Sequence, residues 1–224
     1  MIQAASINDP LTGLLTRKAF EDSFVSALEQ AQAAQSSLSL AMLDIDNFLQ
    51  INNQLGHPGG DVVLKAIAEI LKQIGQDVLL ARYGGDEFAI LFPNTEREQA
   101  FLKLERVRAE VEGRTSFSDG DSTVDIHMTL SAGIAAFPID GNEANELMRK
   151  ADMADYRAKV GGRNKIVLAY EERMAPKTSH FTLTQLERLT ALAKEQDVGE
   201  AVLLREALDD LLVKYQHGFL QKHS

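Results

Sequence analysis

Cysteine is absent from this sequence, and so are long apolar runs. Without cysteine the chain forms no disulfide and offers no thiolate, so a bound metal would need oxygen or imidazole ligands. Oxygen ligands favour Mg²⁺ or Mn²⁺. No stretch approaches the ~18 uninterrupted apolar residues that cross a bilayer. The first residues also lack the basic start and apolar run of a signal peptide, so we expect a protein of the reducing cytoplasm with no membrane partner.

Positive charge is scarce as well. The chain carries 23 lysines and arginines against 33 aspartates and glutamates, a formal net charge of −10. This balance argues against broad, non-specific binding to nucleic acid, and a polyanionic substrate would depend on local cations and bound metal. The 224 residues, 45% of them hydrophobic, suffice for one core and a small appendage.

Apolar runs alternate with amphipathic stretches over residues 11–170, which predicts an α/β or α+β domain. A buried strand is expected over Leu38–Leu43, with Asp44 at its carboxyl end. Two further apolar runs, Val78–Ala81 and Phe88–Phe92, flank a Gly-Gly turn and predict a β-hairpin. Acidic residues therefore follow or interrupt strands, where the backbone holds them in place.

Helical periodicity occupies the intervals between the strands. One helix is expected to begin at Thr16, and another to follow Gly59-Gly60-Asp61. A third begins at a predicted capping box of Thr95 and Glu98. A fourth has a face of small residues, formed by Leu147, Ala151, Ala154 and Ala158. Together with the strands, these helices complete one domain over residues 1–170.

The composition of the sequence changes after this domain. Residues 171–178 are polar and predict a linker, and residues 179–224 form a separate segment. In that segment His180–Leu183 alternates like a strand, a capping box of Thr184 and Glu187 opens a helix, and a second helix follows. A strand and two helices of this size bury too little apolar surface alone, so we expect the segment to dimerise.

Asp44 and Asp86 are the candidates for metal chemistry. Each lies where a strand ends or turns, so its carboxylate is held at the edge of a cleft. Mg²⁺ takes carboxylate and carbonyl oxygens at about 2.0–2.1 Å. A second cation about 3.5–4 Å away would hold the attacking and non-bridging oxygens in phosphoryl transfer. Gly84 and Gly85 would let phosphate approach the backbone without an obstructing Cβ. Taken alone, the Gly-Gly-Asp-Glu segment is equally consistent with a solvated acidic turn.

Separated motifs over residues 8–170 resemble the GGDEF family of nucleotidyl cyclases. The motifs are Asp9-Pro10-Leu11-Thr12-Gly13-Leu14, Asp44-Ile45-Asp46-Asn47-Phe48, Asn52 with Gly56-His57-Pro58-Gly59-Gly60-Asp61, Arg82-Tyr83-Gly84-Gly85-Asp86-Glu87-Phe88, Ser131-Ala132-Gly133-Ile134 and Lys159-Val160-Gly161-Gly162-Arg163-Asn164. The resemblance implies a palm-like α/β (α+β) fold, with a central antiparallel sheet flanked by helices. It also implies a diguanylate cyclase, which joins two GTP molecules into cyclic di-GMP and releases two pyrophosphates.

The resemblance assigns a metal site and two catalytic residues. Asp44, the carbonyl of Ile45 and Asp86 would hold Mg²⁺ or Mn²⁺, and Glu87 would assist a second ion for each GTP. Asp86 would lie nearest the 3′-hydroxyl and would act as its general base. Asp86 and Glu87 are therefore the catalytic candidates.

The resemblance also assigns residues to GTP itself. Asn52 and Asp61 would pair with guanine, because a carboxylate accepts from N1–H and N2–H and adenine offers no such pair. Lys159 and Arg163 would clamp the terminal phosphates. The complete substrate-binding set is Phe48, Asn52, His57, Asp61, Gly84, Gly85, Lys159 and Arg163.

Plainer interpretations remain open for several of these positions. His57 is as consistent with bracing the Gly56 turn as with contacting the nucleotide, and Phe48 is as consistent with the core as with the pocket. Asp46 is expected to face solvent or to cap the following turn, and it is left out of the site. Arg82 is expected to form a structural ion pair.

The sequence departs from the family pattern at Leu49, at Asn53 and at the product-inhibition motif. Leu49 stands where members commonly carry lysine, which removes one phosphate contact. Many members also carry an inhibitory Arg-x-x-Asp motif that ends five residues before the hairpin glycines. The corresponding positions are Gly75 and Val78, and neither side chain binds a phosphate or guanine. We therefore predict no product inhibition at this position.

The segment 179–224 resembles a ribbon-helix-helix module, in which two strands pair across a two-fold axis and the ribbon reads DNA. The outward strand positions would be His180, Thr182 and Thr184, none of which is lysine or arginine. Residues 171–224 carry seven basic and nine acidic side chains, a net charge of −2. This charge disfavours phosphate contact, so homodimerisation is preferred to DNA binding. A helical hairpin packed on its own domain is the simplest alternative.

Two functions from different classes follow. The first is an active cyclase that works as a dimer, since each 3′-oxygen must attack the α-phosphate of the other GTP. The second is a non-catalytic regulator that binds GTP or cyclic di-GMP and carries a DNA-binding ribbon-helix-helix tail. Asp44, Asp86 and Glu87 favour the enzyme, because a receptor does not need a full set of metal ligands.

Overall fold

The computed structural model describes residues 7–169, 179–195, 199–201, 203–204, 207–208 and 211. The chain divides into two compact units, residues 1–171 and 172–224. The predicted linker, residues 171–178, lies outside the described residues. Within the described residues, every helix is too short or too polar to cross a lipid bilayer.

A six-stranded mixed sheet forms the centre of the first unit. Its strands are β1 (Leu15–Thr16), β2 (Leu38–Ile45), β3 (Leu79–Arg82), β4 (Glu87–Pro93), β7 (Leu130–Phe137) and β8 (Lys165–Leu168), while β5 (Ser116–Ser118) and β6 (Thr123–Asp125) form a separate pair. The order in the large sheet is β1-β3-β4-β2-β7-β8. The four inner strands are antiparallel, which confirms the predicted central sheet. The two edge strands run parallel to their neighbours.

Helices cover both faces of the sheet. They are α1 (Arg17–Ala34), α2 (Phe48–Lys72), α3 (Arg97–Glu112) and α4 (Ala144–Val160). Helices α2 and α3 share one buried cluster with the sheet, and α1 and α4 share the other. Met42 and Ala89 belong to the α1/α4 cluster. Because side chains two apart on a strand share a face, Asp44 and Glu87 also point toward α1 and α4.

The N-termini of the helices agree with the predicted ones in part. Helix α1 begins at Arg17 with Thr16 as its N-cap, within one residue of the predicted start at Thr16. The capping box predicted at Thr95 and Glu98 is wrong, because α3 is capped by Glu96, whose N–H donates to Oε1 of Gln99 at 3.2 Å. The hydroxyl of Thr95 instead donates to the carbonyl of Pro93 at 2.9 Å.

In the second unit, α5 spans Leu183–Glu195. The capping box predicted at Thr184 and Glu187 is wrong, because Thr182 and Gln185 form it. Oγ1 of Thr182 accepts from the backbone N–H of Gln185 at 3.3 Å, and Oε1 of Gln185 accepts from the N–H of Thr182 at 2.9 Å. Residues 179–182 are not assigned as strand in the single chain. A ribbon strand finds its partner on a second copy, so the ribbon-helix-helix interpretation stays a prediction.

Candidate active site

The turn between β3 and β4 is held by bonds to its own backbone. The N–H groups of Tyr83 and Gly84 both donate to the carbonyl of Glu87, at 2.8 and 3.2 Å. Arg82 donates to the carbonyl of Gly85 from Nε at 3.0 Å and from Nη2 at 2.7 Å. Arg82 also forms the predicted structural ion pair, with Asp9 at 3.5 Å. The tip of the hairpin is therefore fixed without any ligand.

The two glycines of this turn have different surroundings. A Cβ at Gly84 would lie 2.6 Å from Oε2 of Glu87, so glycine gives the glutamate carboxylate room to fold over the turn. A Cβ at Gly85 would meet nothing within 4 Å. The space above Gly85 is open, as expected if a ligand approaches the backbone there.

Asp44 lies beside this hairpin. It is the cross-strand partner of Glu87, and the N–H of Ile45 donates to the carbonyl of Asp86 at 3.4 Å. The Asp44 side chain is 14% exposed, and its Oδ2 lies 3.0 Å from Nζ of Lys159. Burial raises the pKa of Asp44 to about 6, and the charges of Asp86 and Glu87 add to this rise, while Lys159 opposes it. Three carboxylates and one ammonium thus share a corner of the sheet.

The donor set of this corner fits a divalent cation. Among the described residues, no three carboxylate or imidazole side chains converge as a preformed metal cage. The carboxylate of Asp44 instead faces the ammonium of Lys159. Mutually repelling carboxylates are nevertheless the ligands that a hard cation neutralises, and backbone carbonyl and phosphate oxygens would complete its shell. The residues therefore fit Mg²⁺ or Mn²⁺.

The phosphate clamp predicted at Lys159 and Arg163 lies at the end of α4. Lys159 is in the last helical turn, 29% exposed, between Asp44 at 3.0 Å and Asp155 at 2.9 Å. Burial alone would lower the pKa of Lys159, but the hydrogen bonds and charges of the two aspartates outweigh it and raise the pKa. Arg163 is exposed in the following loop, with a left-handed φ of 62°. We call Asp44, Asp86, Glu87, Lys159 and Arg163 the phosphate corner.

The residues predicted to bind guanine lie on α2, which bends at Gly56 (φ 72°, ψ 169°). A Cβ at Gly60 would lie 2.0 Å from Oδ1 of Asn52 and 3.3 Å from the ring of Phe48. Phe48 and Asn52 on the first arm therefore contact the second arm at a glycine. Asp61 follows that glycine and is exposed. We call Phe48, Asn52 and Asp61 the base notch.

The remaining predicted positions are less constrained. His57 is exposed at the bend of α2, and both of its interpretations stay open. Phe48 packs against the core while touching Gly60, so it belongs to the core and borders the notch. A cleft of about 750 Å³ opens beside Glu87 and Lys159, between α1 and α4.

Asp46 was misjudged from the sequence. It does not face solvent, since it is 3% exposed. Its carboxylate accepts from Oγ of Ser131 at 2.7 Å, from Oγ1 of Thr129 at 2.6 Å and from the backbone N–H of Asn164 at 3.0 Å. Because Asn164 follows Arg163, Asp46 anchors the loop that carries Arg163, the residue predicted to belong to the phosphate clamp. The available signal was the hydroxyl side chain of Ser131 within an apolar strand.

Two further residues support the corner and were not assigned from the sequence. Asn164 donates from its side chain to Oε1 of Glu112 at 2.6 Å and accepts from Nη1 of Arg108 at 2.8 Å, which ties the loop to α3. Asp155 is buried on α4 one turn before Lys159. The signal for Asp155 was its spacing of four from Ala151, on the predicted inner face.

Comparison with known proteins agrees with this architecture. The family profile described as "Diguanylate cyclase, GGDEF domain" matches residues 6–165. "Diguanylate cyclase DgcP" of Pseudomonas aeruginosa is 41% identical over 166 residues, which cover 73% of this chain and 24% of the relative. "Cyclic di-GMP phosphodiesterase NbdA" of the same organism is 36% identical over 157 residues, which cover 70% of this chain and 20% of the relative. The chain thus spans a quarter or less of these two relatives.

Solved structures extend the agreement to the fold. The crystal structure of the GGDEF domain of DgcB from Caulobacter crescentus in complex with c-di-GMP matches with a TM-score of 0.68 and 34% sequence identity. The match covers 76% of this chain and 97% of that domain.

Proposed function

This chain belongs to the GGDEF family of diguanylate cyclases, and from that premise we propose that its first unit condenses two GTP molecules into cyclic di-GMP and two pyrophosphates. The observation that carries the proposal is the phosphate corner, where Asp44 lies opposite Glu87 and 3.0 Å from Lys159. Relatives that share the domain are named as a cyclase and as a phosphodiesterase, so membership alone does not decide the activity. The complete carboxylate set favours synthesis over a purely receptive role.

The carboxylates would hold the cations and take the proton. Asp44, Asp86 and the carbonyl of Ile45 would bind one Mg²⁺ or Mn²⁺, and Glu87 would assist a second. When bound, such cations neutralise charge on the triphosphate and ease ionisation of the 3′-hydroxyl. Asp86 lies on the fixed hairpin tip, which would hold its carboxylate next to the 3′-hydroxyl. Asp86 would then accept the hydroxyl proton as general base.

The cationic side chains would bind the leaving group. Lys159 and Arg163 contact the terminal phosphates and stabilise the charge that develops on pyrophosphate. Leu49, which stands where family members commonly carry lysine, is 73% exposed and apolar, so its side chain adds no phosphate contact. On the other side, Asn52 and Asp61 select guanine through its N1–H and N2–H donors.

Product identity tests the proposal. The protein is incubated with GTP, with ATP or with both, in Mg²⁺ or Mn²⁺, and the products are analysed by mass spectrometry. We expect cyclic di-GMP and pyrophosphate wherever GTP is present, and no adenine-containing cyclic dinucleotide. GTP binding without product at any enzyme concentration would favour the non-catalytic regulator, and a mixed cyclic GMP-AMP would contradict the assignment of Asp61.

We further propose that the second unit forms a homodimer. One domain binds one GTP, so the active assembly needs two domains face to face. The described part of this unit exposes apolar side chains in the single chain, including Phe181 (44%), Leu192 (44%) and Leu208 (53%). A paired tail would raise the local concentration of cyclase domains to about the millimolar range. DNA is the less favoured partner because the tail is acidic and its outward strand positions are not basic.

Truncation separates these interpretations. A chain that ends at residue 170 is expected to lose specific activity at nanomolar concentration and to regain it at high concentration, whereas the full chain keeps it throughout. Unchanged activity of the short chain at nanomolar concentration would exclude the dimer role. Titration of a labelled DNA duplex at low salt provides the second arm, and tight binding by the full chain alone would favour the DNA interpretation.

We also propose that the product does not inhibit at the Arg-x-x-Asp position. A cleft of about 840 Å³ lies there, and the described residues that line it include Gln30, Gln76 and Asp77 but no lysine or arginine. Cyclic di-GMP is titrated into the enzyme during turnover, and micromolar non-competitive inhibition would contradict the proposal. The matched variant carries Gly75→Arg and Val78→Asp together, and it is expected to become inhibitable.

A further inference from the structure

A buried carboxylate on α4 has no role in the function proposed above. Asp155 is 7% exposed and shares its helix face with small or apolar residues that are fully buried, namely Leu147, Ala151, Ala154 and Ala158. The helix rests directly on β7, because a Cβ at Gly133 would lie 2.1 Å from the backbone N of Asp155. The backbone of Asp155 is therefore held against the sheet, and its side chain has little freedom to move.

The side chain of Asp155 forms its ion pair with the lysine predicted for the phosphate clamp. Its Oδ2 lies 2.9 Å from Nζ of Lys159, and the same ammonium lies 3.0 Å from Oδ2 of Asp44. Oδ1 of Asp155 is buried, and no described residue forms a hydrogen bond with it. The carboxylate is therefore poorly matched to the fold around it, because burial and the nearby charges of Asp44 and Asp152 disfavour its ionisation and Lys159 is the cation that favours it.

The proposed function gives Lys159 two incompatible tasks. In the structure its ammonium neutralises Asp44, which would be a metal ligand. In the reaction its ammonium would contact the terminal phosphates of GTP. Lys159 must therefore exchange Asp44 for phosphate oxygens, and a flexible side chain released from a partner loses its fixed position.

We propose that Asp155 is a positioning residue that retains Lys159 at the edge of the site while the ammonium exchanges Asp44 for phosphate. This inference rests on the proposed function and adds a residue to it. The Asp155–Lys159 pair persists in both states, and the Lys159–Asp44 pair exists only while the corner is free of cation. Lys159 has three N–H donors, so it can keep Asp155 and still reach a phosphate.

The cost of burying Asp155 supports this role. Burial raises its pKa to about 7, against the opposing hydrogen bond from Lys159. A buried carboxylate with an unpaired oxygen contributes little to folding, and an apolar residue of similar volume is often neutral or stabilising at such a position. A purely structural residue would not carry this penalty.

A double-mutant cycle on metal affinity tests the inference without turnover. Mn²⁺ is titrated by electron paramagnetic resonance into the nucleotide-free full chain, into Asp155→Leu, into Lys159→Met and into the double variant. Asp155→Leu leaves Lys159 on Asp44 alone, so we expect Mn²⁺ to bind about threefold to tenfold more weakly. Lys159→Met removes the competing cation and is expected to tighten binding. The double variant is expected to match Lys159→Met.

The cycle distinguishes positioning from simple charge. If Asp155→Leu weakens Mn²⁺ equally with and without Lys159, the carboxylate acts through space and the inference is overturned. An unchanged Mn²⁺ affinity in Asp155→Leu overturns it as well. Glu146→Gln is the matched control, because it breaks an ion pair of the same spacing on α4, with Lys150 at 3.0 Å. Asp155→Asn repeats the cycle if the leucine variant does not fold.

Nucleotide binding supplies the second readout. A GTP analogue with a methylene group between the α- and β-phosphates is compared with GMP at saturating Mn²⁺. Asp155→Leu is expected to weaken the analogue about tenfold and to leave GMP unchanged, because only the analogue reaches Lys159. Equal weakening of both ligands would overturn the inference. A wild-type chain that makes no cyclic di-GMP but shows the expected Mn²⁺ cycle would instead contradict the proposed function alone.

Discussion

The phosphate corner and the base notch are constructed in different ways. In the corner Asp44 and Lys159 are partly buried and already paired, with Lys159 between Asp44 and Asp155, while Glu87 and Arg163 are exposed. In the notch Asp61 is exposed, and its place depends on the bend of α2 at Gly56. Ion pairs position the residues of the corner, and the bend of α2 positions those of the notch.

This difference fits the task that the proposed function gives to each side. Burying several carboxylates together is costly unless a cation neutralises them, so the corner holds an ammonium where a metal ion would later bind. A solvated notch keeps its polar groups hydrated until the base arrives, so it needs no internal partner. Substitutions in the corner should therefore change turnover, and also stability where the side chain is buried, whereas substitutions in the notch should change affinity and selectivity.

The largest effect is expected at Asp86. Asp86→Ala removes both a metal ligand and the proposed general base, so turnover should fall about a thousandfold or more. Initial rates of cyclic di-GMP formation are measured alongside thermal unfolding. Because Asp86 is only partly buried at the hairpin tip, the melting temperature should stay close to that of the wild type.

Asp121 provides the matched control for Asp86. It is an exposed aspartate in the turn of the other hairpin, between β5 and β6. Asp121→Ala should leave turnover unchanged. Equal losses of turnover in the two variants would show that the overall negative charge of the protein, and not the position of Asp86 in the corner, determines the rate.

Asp46 tests whether the corner also depends on a buried anchor. Asp46→Ala removes three hydrogen bonds and leaves Ser131, Thr129 and the N–H of Asn164 without their acceptor. We expect a loss of about 2–4 kcal/mol in the free energy of unfolding, measured in urea. Turnover should also fall about tenfold to a hundredfold, because Arg163 loses its fixed loop.

Arg163→Ala is the companion variant to Asp46→Ala. It should lower turnover without lowering stability, since Arg163 is exposed. If Asp46→Ala reduced stability and left turnover of the folded fraction intact, the link between Asp46 and the clamp would be refuted.

The same comparison explains which parts of the site could be predicted from sequence. Strand patterning placed Asp44 and the hairpin, because those positions depend on local periodicity, and the resemblance to the GGDEF family assigned Lys159. Asp46 was misjudged because its donors come from distant segments, with Ser131 85 residues away and Asn164 118 residues away. No local sequence pattern predicts hydrogen-bond donors that lie so far away in the chain.

The two wrong helix starts have a different cause. Overlapping capping signals compete within one or two residues, and tertiary contacts select among them. Thr95 and Thr182 illustrate both outcomes. The hydroxyl of Thr95 donates to the carbonyl of Pro93, so Glu96 caps α3 instead. Thr182 takes the cap that had been assigned to Thr184.

Asp61 tests the notch. Asp61→Asn replaces a charged acceptor for guanine N1–H and N2–H, so the KM for GTP should rise about tenfold to a hundredfold while kcat changes little. Stability should not change, because Asp61 is exposed. The decisive measurement compares GTP with ITP, whose base lacks the 2-amino group. The wild type should prefer GTP, and the variant should lose much of that preference.

Glu69→Gln serves as the control for Asp61. It removes an exposed carboxylate two turns later on α2, paired with Lys72 at 2.6 Å. Its KM for GTP should match the wild type. If both variants raised the KM for GTP and ITP by the same factor, the effect of Asp61 would reflect the electrostatic field near the site and not recognition of the base.

The smallest expected effect is a pH-dependent change in stability at Asp155. Burial raises its folded-state pKa from 3.8 to about 7. Between those values the folded chain holds a proton that the unfolded chain releases, so the contribution of Asp155 to stability is lost as pH rises toward 7. Asp155→Leu lacks this dependence. It should therefore be more stable than the wild type by about 1–3 kcal/mol at pH 8, and the advantage should shrink by pH 5.

Urea unfolding of both proteins from pH 5 to pH 8 measures this difference. Glu146→Gln is expected to show the opposite sign, because the hydrogen bond from Lys150 lowers the pKa of Glu146 and its charge stabilises the folded state at neutral pH. A stability difference for Asp155→Leu that is constant with pH would mean that the buried carboxyl does not titrate in this range. In that case, burying the charge of Asp155 beside the corner would cost no more than exposing the charge of Asp61 in the notch. The contrast between the two sides would then have no electrostatic basis.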